Sequence, residues 1–275
     1  MDQPELARLE HANMIELFAL VGANVPGALV RRAGGVALVT TGLPFLLFNQ
    51  VVVEDGTATA ADVADAVARA RARGGPFVVN LRAGTDDRFL EVIRRLGLIP
   101  LSEDPWMPGM ALHPVPGQAA MDAPGHEIRR VSDDASVEDH IRTATAGFEM
   151  PEMVVRSVVT PALLRHPGVA LYVGYTNGEP VSAGLGIRTG RTIGVYNIST
   201  LASFRKRGYG AAMTARVAAD GVSAGCDVAI LQASDMGRSV YDRMGYRTVV
   251  EYVGYVEPEE AGQDLSPSGP GQPDG

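Results

Sequence analysis

The chain has 275 residues, 46% of them hydrophobic, with a formal net charge of -8. That material suffices for one large or two ordinary domains with buried cores, and the negative balance argues against a general nucleic-acid binder, which needs clustered positive charge. The single cysteine, Cys226 in "GCDVAIL", excludes an internal disulfide and a cysteine-built metal cage, and its setting predicts a small buried residue. No metal site is expected.

No apolar run reaches the ~18 residues of a membrane span. The N-terminus, "MDQPELARLEHANMIELF", is polar and acidic, unlike a secretory signal. A soluble cytoplasmic α/β protein without membrane contact is expected. In chain order, residues 4–21 repeat apolar side chains at helical spacing. "VALVTTG" (36–42) and "FLLFNQVVV" (45–53) read as strands, and "TATAADVADAVARARARGG" as an amphipathic helix ended by Gly74 and Gly75. "PFVVNLR" predicts a buried strand, "DDRFLEVIRRLG" a short helix, and "LIPLSEDPWMPGMALHP" a broken hairpin.

Residues 115–125, rich in proline, alanine and glycine, form the best linker. The pattern then restarts. "HEIRRVSD" predicts a strand, and "SVEDHIRTATAGF" and "PEMVVRSVVTPALLR" predict two helices. Residues 168–200 read as three strands, with a hairpin at Asn177-Gly178. A helix over "GYGAAMTARVAADGVSAG", the strand "DVAILQAS", the short helix "MGRSVYDRMG" and the strand "YRTVVEYVGYVE" complete the order. The two halves share a late layout, which suggests a duplicated architecture. Residues 258–275 have the composition of a disordered tail.

The stretch "RKRGYGAAM" (205–213) joins a strand to a helix. A helix start offers free N–H groups and the positive end of the helix dipole, and glycines admit close approach. Such a junction suits phosphate. It lacks the GK[ST] ending of a Walker-type loop, and no third glycine completes a dinucleotide fingerprint. What remains is R-x-x-G-x-G, formed by Arg205, Gly208 and Gly210, followed one helix and one strand later by "SVYDRMGY".

Over residues 127–256 this combination resembles the GNAT superfamily of acyl-CoA-dependent N-acetyltransferases. The resemblance implies a mixed central sheet flanked by helices and acetyl-CoA as cosubstrate, without a metal. It implies that the amides of residues 207–211, thus Arg207, Gly208, Tyr209, Gly210 and Ala211, hold the pyrophosphate, with Arg205 opening the motif. Ile198 and Thr200 would offer backbone groups to the pantetheine arm, and Ser234 would lie where the sheet opens for the thioester. Tyr241 matches the tyrosine that protonates the leaving thiolate, a task suited to a phenol that stays protonated at neutral pH. Glu149 is the leading candidate base, ahead of Glu152, Asp139 and His140.

The resemblance further implies tandem domains: residues 1–114 as a degenerate GNAT-like domain, 115–125 as linker, and 126–257 as the catalytic domain. The first half lacks R-x-x-G-x-G, and Asp62 and Asp65 would repel pyrophosphate at its helix start; its expected roles are shaping the acceptor cleft, stabilising the other half, or forming a homodimer. The resemblance implies an acceptor that is a primary amine on a small molecule or peptide, which no residue here identifies. Ala183, Gly184 and Gly186 leave room for an acyl group longer than acetyl. A non-catalytic acyl-CoA-binding or partner-binding protein, and a different nucleotide-binding α/β enzyme, are the competing readings.

Overall fold

The computed structural model describes residues 1–103, 105–116 and 123–261. In chain order the first elements are α1 (Gln3–Asn24), β1 (Leu29–Ala33), β2 (Val36–Thr40), β3 (Asn49–Val53), α2 (Ala60–Arg73), β4 (Val78–Arg82), α3 (Leu90–Arg95), β5 (Ile99–Pro100) and β6 (Met107–Leu112). Then follow β7 (His126–Arg130), α4 (Asp134–Phe148), α5 (Glu152–Val158), α6 (Pro161–Leu164), β8 (Val169–Thr176), β9 (Glu179–Thr189) and β10 (Thr192–Thr200). The last are α7 (Tyr209–Ser223), β11 (Val228–Gln232), α8 (Asp235–Arg243) and β12 (Arg247–Val256).

These elements pack into two units. Among the described residues, one comprises Met1–Leu112 and residues 230–261; the other comprises His113–Ala229. The grouping differs from a division at 115–125, because α8 and β12 belong with the first half. The cause is strand pairing: β12 lies between β4 and β6, with Tyr252 opposite Arg82 on one side and opposite Met107 on the other. Residues 117–122 of the expected linker and 262–275 of the expected tail lie outside the described residues, while Pro258–Glu260 forms a 3-10 turn.

The first unit orders its strands β1-β2-β3-β4-β12-β6. Only β3 and β4 among these pair in parallel. The centre of this sheet is apolar on both faces, as two-sided burial requires. Val36, Leu38, Val51, Val53 and Val79 meet Val63, Ala66, Val67 and Ala70 of α2. The alternate residues Ala37, Val39 and Val52 meet Met14, Ile15 and Phe18 of α1. Helix α1 starts at Asp2, whose carboxylate accepts from Glu5 N–H at 2.9 Å.

The second unit orders its strands β10-β9-β8-β7, all antiparallel. Helix α7 lies close on β9, because Gly184 and Gly186 present no Cβ: an added one would stand 2.8 Å from Met213 and 2.9 Å from Val217. Ala183 packs with Ile141, Ala144 and Val155. The expected room for a longer acyl chain is therefore filled by the protein's own side chains. Cys226 is buried, as its setting predicts.

Four local readings change. Leu29–Ala33 forms a strand that the arginine-rich "LVRRA" does not announce. Leu46–Phe48 is a 3-10 turn, because Asn49 donates to the Phe45 carbonyl at 3.0 Å and Gln50 to those of Leu46 and Leu47 at 3.0 Å. The expected hairpin at 98–114 does not close on itself; β5 and β6 both pair with β12. The helix over "PEMVVRSVVTPALLR" breaks into α5 and α6 at Pro161, which takes the first turn of the second piece.

Candidate functional site

In the second unit, β10 carries an extra residue relative to β9. Tyr196 faces Leu185 and Ser199 faces Ala183, so three steps on one strand match two on the other. This is a β-bulge, with Asn197 in the left-handed region at φ 50°. Ile198 lies in the bulge, and Thr200 ends the strand opposite Ser182.

The chain then turns through a 3-10 segment, Ala202–Phe204, into α7. Lys206 (φ 64°) and Gly208 (φ 83°) are both left-handed. Two such residues in quick succession aim neighbouring amides toward one concavity, a nest suited to an anion. The amides of Phe204 and Arg205 bond back to Leu201 and Ala202, and the first bond inside α7 runs from Ala212 N–H to the Gly208 carbonyl. The amides of Tyr209, Gly210 and Ala211 therefore have no acceptor within the helix. Space above Gly208 is open, with no atom of the described residues within 4 Å of where a Cβ would stand. Gly210 lies over Ile198 and Thr200, at 3.7 and 3.9 Å from its would-be Cβ. The unbonded amides and the uncovered glycine fit a pyrophosphate.

The arginines of the motif have different jobs. The Arg205 guanidinium donates to the carbonyls of Thr200 and Gly147, each at 3.2 Å, and thereby ties α4 to the end of β10. Arg207 is exposed, donates to the Ser203 carbonyl at 3.2 Å, and stands over the Phe204 ring. Glu149 ends α4 in the left-handed region (φ 54°), with its carboxylate 3.9 Å from Arg205. Asp139 and His140 are otherwise engaged. Asp139 accepts from Tyr175 Oη–H at 2.8 Å and pairs with Arg142. His140 is buried, its Nδ1 donates to the Tyr172 carbonyl at 3.0 Å, and burial lowers its pKa to about 4. Glu152 pairs with Arg156 on the surface of α5.

Ser234 and Tyr241 belong to the first unit, Tyr241 on α8 and Ser234 immediately before it. Ser234 caps the helix by accepting from Gly237 N–H at 3.3 Å. One turn before Tyr241, Gly237 leaves its ring room to lie back along the helix: a Cβ there would stand 2.9 Å from Tyr241 Cε2. Tyr246, buried with a hydroxyl that has no partner among the described residues, meets the same ring edge-on at 6.0 Å.

The corresponding strand-to-helix junction of the first unit is closed by its own groups. Thr59 accepts from Asp62 N–H at 3.3 Å, and the Asp62 carboxylate accepts from Thr59 N–H at 2.9 Å. Asp55 likewise accepts from Thr57 N–H at 2.8 Å. Carboxylates thus occupy the Thr57 and Thr59 amides and place negative charge at this junction, which disfavours an anion there. Strands β3 and β4 pair in parallel from Gln50–Val78 to Val52–Asn80.

No helix among the described residues is long and apolar enough to cross a membrane. Among those residues no group of three or more His, Cys, Asp or Glu could hold a metal ion.

Residues 120–241 match the family model described as Acetyltransferase (GNAT) domain. Among solved structures, the chain is similar to a GCN5-related N-acetyltransferase from Kribbella flavida at 20% identity, covering 90% of this chain and 95% of that one, with a TM-score of 0.65. A GCN5-related N-acetyltransferase from Sphaerobacter thermophilus is similar at 15% identity, with coverages of 82% and 80% and a TM-score of 0.59. A tandem GNAT protein from the clavulanic acid biosynthesis pathway is similar at 13% identity, with coverages of 90% and 94% and a TM-score of 0.58. No curated protein matches the sequence. At these identities the likeness establishes the fold.

Proposed function

We propose that the protein, whose residues 120–241 match the GNAT acetyltransferase domain model, transfers an acetyl group from acetyl-CoA directly to a primary amine. The observation that carries this reading is the nest at the start of α7, with unbonded amides at Tyr209, Gly210 and Ala211 behind a left-handed, uncovered Gly208. The amides of residues 207–211 hold the pyrophosphate. The bulged end of β10, at Ile198 and Thr200, offers main-chain groups to the pantetheine arm as an added strand would. Arg205 acts through the loop it ties down, and Arg207 adds positive charge at its rim.

Acetyl-CoA supplies the thioester carbonyl that the amine attacks. Tyr241 donates its phenolic proton to the departing sulfur, and Ser234 caps the helix that carries it. Glu149 accepts the proton that the amine loses. Acceptors are cationic amines on small molecules or peptides, in keeping with the chain's net charge of -8. The first unit takes no coenzyme A in this manner, because Asp55 and Asp62 fill its helix junction.

A thiol-release assay across an amine panel tests the reading. Amine-dependent release of coenzyme A supports it. Tight binding of acetyl-CoA without release on any amine would instead indicate a non-catalytic acyl-CoA-binding protein.

A further inference from the structure

A series of ring contacts braces the loop that presents the free amides. The Tyr209 ring lies parallel to the His126 imidazole, with centroids 4.2 Å apart and planes 3° from each other. Tyr209 also meets Phe204 at 6.4 Å and 27°, and the Arg207 guanidinium stands 5.0 Å above Phe204. The contacts run from the rim of the nest to β7, far away in sequence.

At its far end the series is anchored in the sheet. His126 Nε2 lies 2.8 Å from Ser182 Oγ, which is buried on β9. A Cβ at Gly174 would collide with both groups, so that glycine makes the space His126 occupies. His126 Nδ1 is buried without a partner among the described residues, and burial lowers the pKa of the ring. A neutral imidazole therefore faces Tyr209, in a stack of two aromatic rings.

Tyr209 is the first residue of α7, and its own amide is one of those left free. The loop before it contains two left-handed residues, Lys206 and Gly208, one of them without glycine's freedom. Such a loop samples other conformations unless its surroundings hold it. Each amide misdirected in the free protein must be reordered on binding, which weakens affinity.

We propose that His126 is a positioning residue for the cofactor: by stacking on Tyr209 it fixes the start of α7 and pre-organises the amides that receive the pyrophosphate. The proposal rests on the acyl-CoA reading. It assigns a binding role to a residue outside R-x-x-G-x-G that touches neither phosphate nor thioester.

The test is calorimetric titration with coenzyme A of the wild type, His126→Ala, His126→Phe and Tyr209→Leu, with amide hydrogen exchange over residues 206–211 in the free proteins. Losing the stack in His126→Ala or Tyr209→Leu raises Kd about three- to tenfold and speeds exchange in the loop. His126→Phe keeps a flat ring against Tyr209 and holds both readouts within about twofold of wild type. Equal weakening in His126→Ala and His126→Phe would overturn the stacking role, as would unchanged exchange in His126→Ala. A wild type that binds no coenzyme A would fail the acyl-CoA reading and the His126 role with it, whereas the exchange data separately report whether the ring orders the loop.

Discussion

Tyr252 and Glu10 meet through a 2.7 Å hydrogen bond between the phenol and Glu10 Oε2, across 242 positions of sequence. The same phenol lies 2.9 Å from His11 Nδ1, and Glu10 Oε1 accepts from Gln232. All of this sits inside the first unit, so one proton inventory is shared by buried groups of α1 and β12. Burial pushes the Glu10 carboxyl up to about 7, against the opposing pull of those hydrogen bonds and of Arg82. Burial also pushes His11 down to about 4.

The two shifts have opposite signs in stability. A raised carboxyl pKa favours folding below its ordinary value, 4.5, and that contribution is lost as pH rises toward about 7. A lowered histidine pKa favours folding above its ordinary value, 6.5, and that contribution is lost as pH falls toward about 4. Between 4.5 and 6.5 they offset each other. Glu10→Gln removes the first alone, so the stability difference between variant and wild type moves in the variant's favour by about 2–4 kcal/mol from pH 4.5 to 7.5. Denaturant unfolding at several pH values measures it, and a pH-independent difference would contradict the burial of an ionisable carboxyl.

Tyr241→Phe keeps the ring and its contact with Gly237 but removes the proton. The proposed acid role predicts a fall in kcat of roughly 10²- to 10⁴-fold with unchanged affinity for acetyl-CoA. Steady-state kinetics with direct binding decides it. A kcat within about threefold of wild type would assign the proton to another donor.

Gly237→Ala forces the Tyr241 ring away from its present place, since the new methyl would stand 2.9 Å from Cε2. About a tenfold loss in kcat follows if the phenol must be well placed. In the Tyr241→Phe background the same change has little further effect, because both act through one group. Additive losses would mean that Gly237 serves only the helix.

Arg205→Ala unties α4 from β10 and weakens acetyl-CoA binding about tenfold. Arg205→Lys does not restore it, because one ammonium cannot span two carbonyls as the planar fork does. A full rescue by lysine would show that charge, not the bridging geometry, is what the position supplies.

The nest was legible because its demands are local. A left-handed turn at a helix start calls for glycine, and Gly208 stands in the sequence where it is needed. The closed junction of the first unit was also legible in part, since Asp62 puts a carboxylate at its helix start. Pairing was not. Nothing in "YRTVVEYVGYVE" says that β12 will lie between β4 and β6, because strand partners are chosen by packing over the whole sheet. The edge strand β1 escaped notice because "VRR" carries polar side chains where a core strand carries apolar ones. The His126–Tyr209 stack joins distant segments and leaves no periodic trace. Gly184 and Gly186 were misread because a small residue marks space, and only the structure shows Met213 and Val217 filling it.

The measurement that bears most directly on function is calorimetric titration of acetyl-CoA into the wild type and Gly208→Asp. The new carboxylate enters open space at the nest without crowding the core; it repels the pyrophosphate, and at φ 83° it also strains the turn that presents the amides. One site per chain in the wild type, abolished in Gly208→Asp, is the predicted result. No binding to the wild type, undiminished binding to Gly208→Asp, or two sites per chain would contradict a single cofactor seat at the start of α7.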